Sequence, residues 1–211
     1  MPRGTGSQTD DAPSLLALVA EKGGTVAALL KISEGLRRTL ESVARTSGWL
    51  LVGMVAVTCF DVLARKTGIP VPLTKLQELE WHFHAALFSL WMGYGYTINA
   101  HPRVDSFTEK MTFRGKAWIE LVGCLVFALP YCALVAYHSL DFVASSYALA
   151  EQSDSTVGLR YRWLIKGIYA AGLWMVVLGI LSVLARVIVF LFGGLPEDEV
   201  NLQIGHTELE V

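Results

Sequence analysis

The chain has 211 residues, 53% of them apolar and 17% charged, with a mean hydropathy of +0.46 and a formal net charge of −2. Soluble domains average about 45–50% apolar and about 25% charged residues, so this composition excludes a disordered chain and a small disulfide scaffold. No net field exists to attract a polyanion, and no nucleic-acid partner is expected.

The 17 basic and 19 acidic residues are unevenly spread. The stretches 46–64, 81–100, 117–140 and 167–196 contain only Asp61, Glu120 and Arg186. About 20 apolar residues at 1.5 Å each cross a hydrocarbon core of about 30 Å, and a bilayer leaves helix as the only single-segment way to satisfy the backbone. The expected fold is an all-α integral membrane protein with four transmembrane helices, both termini inside, and an N-terminal amphipathic helix.

In chain order, residues 1–45 read as a cytoplasmic extension whose first dozen residues look disordered. Over about 26–45, Leu29, Ile32 (or Ser33), Leu36, Leu40 and Val43 recur at helical spacing. Lys31, Glu34, Arg37, Arg38, Glu41 and Arg45 fill the other faces. That pattern suits a helix on a membrane surface or a partner, or a solvated extension.

The four-helix domain covers 46–196. Its first span, about 46–66, ends on Asp61 and Arg65, four apart and therefore on one face, where they can pair. The second, about 78–100, is the least apolar, because it holds His82, His84 and Asn99. The third, about 117–140, has Glu120 near its start and Pro130 inside it, where a kink or a local repair of hydrogen bonds is required. The fourth, about 165–192, carries Ala170, Gly172, Gly179 and Ser182, small residues that let membrane helices approach. An acidic cytoplasmic tail, 197–211, closes the chain.

Orientation follows from the cations. Lys31, Arg37, Arg38, Arg45, Arg103, Lys110, Arg114, Lys116 and Arg186 fall on one side. Arg65, Lys66, Lys75, Arg160, Arg162 and Lys166 fall on the other. The positive-inside rule puts both termini in the cytoplasm, with Arg186 able to snorkel to that side.

Cys59, Cys124 and Cys132 all lie in apolar spans with no CxxC pair, which disfavours a thiol oxidoreductase or a zinc site. No Walker loop, HExxH or GxSxG motif is present, nor an inverted repeat with paired broken helices. No enzymatic activity and no cofactor are expected. One alternative keeps a cofactor: His82, His84 and His138 come at similar depth at the outer side, as a haem- or quinone-binding membrane anchor of a respiratory complex would need.

Four loop motifs narrow the reading. Asp61-Val-Leu-Ala-Arg65 ends the first span. Gln77-Glu78-Leu-Glu80-Trp81-His82 opens the second, and His101-Pro-Arg103-Val-Asp105 follows it. Arg160-Tyr-Arg162-Trp163-Leu-Ile-Lys166 precedes the fourth. In this order around four spans they resemble the small membrane subunit (DctQ type) of tripartite ATP-independent periplasmic (TRAP) transporters, in its mannitol/chloroaromatic branch, over roughly 46–192. Ala100 and Pro102 depart from the family's usual post-span pattern.

The resemblance implies a subunit of the bacterial inner (cytoplasmic) membrane in a secondary, sodium-coupled organic-acid uptake system. Its partners would be a large multi-span membrane subunit carrying the solute and sodium sites, a periplasmic substrate-binding protein, and membrane lipid. This chain would brace the large subunit without translocating solute itself, and help dock the soluble protein. The candidate contact residues are Asp61, Arg65, Gln77, Glu78, Glu80, Trp81, His101, Arg103, Asp105, Arg160, Arg162, Trp163 and Lys166. Acids at the mouth of the second helix suit its positive dipole end. Trp81 and Trp163 suit headgroup depth, and Arg103 suits a lipid phosphate or the large subunit.

Overall fold

A computed structural model describes residues 24–101, 108 and 111–204. Expectations for the first dozen residues, for most of the loop holding Arg103 and Asp105, and for the end of the acidic tail lie outside the described residues.

Helix α1, Gly24–Ser47, runs into α2, Trp49–Thr67, through the single residue Gly48. The Ala44 carbonyl at this joint accepts from Gly48 N at 3.0 Å, Ser47 Oγ at 3.1 Å and the indole Nε1 of Trp91 at 2.8 Å. α2 stops at Gly68, whose φ of +70° and N–H to Ala64 O make a left-handed cap. Pro70 and Pro72 keep the chain extended before α3, Leu73–Thr97.

α4, Phe113–Gly123, is capped by Thr112, whose hydroxyl accepts from Gly115 N at 3.3 Å. A π turn, Cys124–Ala128, links it to α5, Leu129–Ala148. The turn stands immediately before Pro130, which has no N–H and whose ring would press on a carbonyl in regular α geometry. The Leu129 N–H reaches back five residues to Cys124 O, and this widened turn is the local repair. α6, Arg162–Phe192, and the short α7, Glu197–Val200, complete the chain.

Among the described residues, three helical runs are long and apolar enough to cross a membrane: Gly24–Thr67, Phe113–Ala148 and Arg162–Phe192. α3 has 25 residues, but Lys75, Glu78, Glu80 and two histidines dilute its first half. The helix expected for the remaining crossing is therefore present, and composition alone does not qualify it.

α6 is the hub. It packs against α1, α3, α4 and α5, and its inner half joins Leu30, Leu121, Val200 and Leu202 in the main core. α3 lies against it at backbone distance. A Cβ on Gly172 would stand 2.5 Å from Ser89 O, and one on Gly179 would stand 2.5 Å from Gly93 O. Ser89 and Ser182 are fully buried between helices. Without a hydrophobic force separating protein from lipid, such close contact is a main source of helix association.

Candidate functional site

At one end of the bundle α2 delivers Asp61 and Arg65, and the fork closes: Nε to Oδ2 at 2.8 Å and Nη2 to Oδ1 at 3.1 Å. Asp61 is buried while Arg65 stays exposed, so the guanidinium neutralises an acid that would be costly alone in an apolar helix.

The first turns of α3 face the loop between α5 and α6. The Glu78 carboxylate accepts from Leu159 N at 2.5 Å and from the Ser153 hydroxyl. Gly158 fits over it, and a Cβ there would come within 2.6 Å of Glu78 Oε1. Glu78 therefore grips the loop through a backbone N–H and a hydroxyl rather than a cation. The cations have an acid of their own. Lys166 Nζ reaches Glu151 Oε2 at 2.5 Å, and Arg162 lies 3.8 Å from both Glu151 and Asp154.

The Lys166 ammonium holds the Glu151 carboxyl below its ordinary range. The same Lys166 sits over the Phe142 ring at 3.8 Å, a cation–π contact. Trp163 packs edge-on against Tyr147, with ring centroids 5.5 Å apart. Ala150 and Tyr161 take left-handed φ values of 46° and 65° where the loop leaves α5 and enters α6. Strain of that kind persists only where surrounding contacts over-determine it. A cavity of about 450 Å³ opens beside the loop, lined by Tyr147, Gln152, Arg160, Tyr161 and Trp163.

Asp61, Arg65, Glu78, Arg160, Arg162, Trp163 and Lys166 thus take part in contacts at the helix mouths or line the cavity there. Gln77 is exposed, and Trp81 is 74% exposed. Glu80 is half-buried, and its Oε1 has no hydrogen-bond partner among the described residues. His101 is at the other end of α3, its ring 5.7 Å from that of Tyr96. Arg103 and Asp105 lie outside the described residues.

That other end holds two polar clusters that sequence reasoning did not assemble. In the first, Ser33 and Ser182 exchange hydrogen bonds, each hydroxyl donating to the other's carbonyl at 2.9 Å. Arg186, 5% exposed, donates to Ser33 Oγ at 2.8 Å, Glu34 Oε2 at 3.1 Å and Asn201 O at 2.8 Å. It faces protein and does not snorkel to water. In the second, the Tyr96 hydroxyl donates to Glu120 Oε1 at 2.9 Å and lies 3.1 Å from Cys124 Sγ, at the start of the π turn. The available signals were a serine on an apolar stripe and the single charged residues of the third and fourth apolar stretches, Glu120 and Arg186.

The histidines do not support a haem site. His82 Nδ1 donates to Glu78 O at 2.5 Å within its own helix, and His138 is exposed near Asp141.

Residues 54–191 match the family described as tripartite ATP-independent periplasmic transporters, DctQ component. No curated protein and no solved structure matches the chain. With the family covering most of an all-helical, membrane-type chain, the protein belongs to the DctQ family and is a small membrane subunit of a TRAP transporter, a transport component and not an enzyme.

Proposed function

We propose that this subunit is the static brace of a sodium-coupled organic-acid importer of the bacterial inner membrane. In this reading it crosses four times with both termini inside. The observation that carries it is the run Phe113–Ala148, of which only 22% of the most apolar stretch is buried inside the chain. Phe127, Tyr131 and Tyr137 are among its exposed residues, at 70%, 69% and 61%. A face this long and apolar needs lipid or a second membrane protein against it, and in this family a large multi-span subunit is the partner available. Solute and sodium sites belong to that partner. The gripped outer loop, with the α2–α3 turn, offers the periplasmic binding protein a fixed surface near 65–78 and 141–166. Glu80, with an oxygen unclaimed among the described residues, suits a partner's donor.

Reconstitution tests this. Proteoliposomes holding the chain alone should show no sodium-driven uptake, and adding the large subunit and the binding protein should produce it. Uptake by the chain alone would sink the brace. Cysteine labelling of each end from the two sides of the membrane checks the orientation.

A further inference from the structure

The charges of α1 are sorted by depth. Glu34 and Glu41 lie low, with side chains 24% and 27% exposed. Arg37 bonds both, Arg38 and Arg186 add bonds to Glu34, and Arg45 adds one to Glu41. Above them, Arg38 and Arg45 are 74% and 80% exposed at the side chain, and Lys31 is exposed too. Lys31, Arg38 and Arg45 are seven residues apart, so they form one row at about 10 Å intervals. Trp49, 75% exposed, continues the row one turn beyond Arg45, and Ile32, 57% exposed, flanks Lys31. The opposite side of the helix, Leu30, Ser33, Leu40 and Ala44, is buried. α1 therefore does not need lipid to cover its apolar stripe, and its cation row is turned outward.

We infer that Lys31, Arg38 and Arg45 form a binding face for the phosphates of anionic phospholipids, with Trp49 set at headgroup depth. The acids are drawn inward under their own arginines, so an approaching surface meets positive charge. Guanidinium forks match phosphate oxygens, a basic row beside an anionic leaflet is attracted to it, and an exposed indole in line with the cations suits the headgroup layer. The inference rests on the reading of this chain as a membrane subunit with its N-terminal side at the cytoplasmic leaflet, but it requires no large subunit and no transport.

The test uses the full chain in a neutral detergent, with phosphatidylglycerol or phosphatidylcholine of matched acyl chains added and bound lipid counted by native mass spectrometry. Phosphatidylglycerol should be retained over phosphatidylcholine, the more so at low salt. The K31Q/R38Q/R45Q variant should lose that preference about tenfold, whereas R38K/R45K keeps most of it. Exposed side chains carry little of the fold, so helicity should not change. Equal retention of the two lipids by the unmodified chain would overturn the inference, and so would an undiminished preference in the triple variant. Displacement by millimolar inorganic phosphate would point to a free-ion site and overturn it as well. A triple variant that keeps its lipid but no longer co-purifies with the large subunit would assign the row to protein contact. Because the lipid count needs only this chain, its failure is separable from a failure of uptake by the assembled transporter.

Discussion

α6 and the α4–α5 arm are the two most apolar helical runs in the protein, and they have opposite surroundings. Of the most apolar stretch, 67% is buried inside the protein in α6 and 22% in the arm. In a soluble protein such a difference would show as a difference in hydropathy. Here both runs meet apolar neighbours, lipid or protein, and hydropathy cannot tell these apart. What separates them is fine grain. α6 carries glycines at backbone distance from α3, a serine fully enclosed between helices, and one arginine with three internal partners. The arm carries large side chains pointing outward.

The sharpest way to break this comparison is to change side-chain volume on each helix. Gly172→Leu drives a side chain into the α3 backbone and should cost about 3 kcal/mol or more. Loss of the monodisperse peak in size-exclusion chromatography and a much lower melting temperature would register it. Phe127→Leu, on the open face, should stay within about 0.5 kcal/mol. Equal effects would erase the distinction.

The next largest effect is expected at Arg186. Arg186→Met takes the donor from the Ser33 hydroxyl and the Asn201 carbonyl, leaves Glu34 to Arg37 and Arg38, and should cost about 1–3 kcal/mol, as unsatisfied buried acceptors do. Protease cleavage within α1 should rise accordingly.

A smaller effect belongs to the loop between α5 and α6. Gly158→Ala crowds the Glu78 carboxylate and should cost about 1–2 kcal/mol, read as faster amide exchange at Leu159 with the helices unaffected.

The smallest concerns pH. Glu151 has its folded-state pKa lowered by Lys166. Its contribution is therefore complete above the ordinary carboxyl range, near about pH 4.3, and is lost as pH falls through the depressed value. The melting temperature should show a slight extra decline on acidification that Glu151→Gln lacks.

Much of the architecture was legible because charge depletion is a direct consequence of the bilayer. The Asp61–Arg65 pair followed from helical spacing alone, and the requirement at Pro130 from its missing N–H. Partners across helices were not legible. Arg162 and Lys166, in the first turns of α6, find their acid in Glu151 of the loop that leads into that helix, a pairing that spacing does not reveal. Ser33 falls on the apolar stripe of α1 and reads as a flaw in it until Ser182 is seen opposite. α3 is the least apolar stretch because of the charges and histidines in its first half, and its Ser89 and Gly93 serve close contact with α6, which hydropathy does not reveal.

The π turn at Cys124–Ala128 sets an angle as well as easing a proline. One residue inserted into an α-helix rotates everything after it by about 100°. α4 is fixed upstream by Phe113 against Phe190, so the turn decides which side of α5 looks out. Removing a single residue there, with Pro130 replaced by alanine so that a regular helix can close, would keep both helices and swing Tyr131 and Tyr137 away from their present outlook. In this protein the phase of the outward face is encoded by a count of residues, and a one-residue deletion could change its partner without changing a single contact side chain.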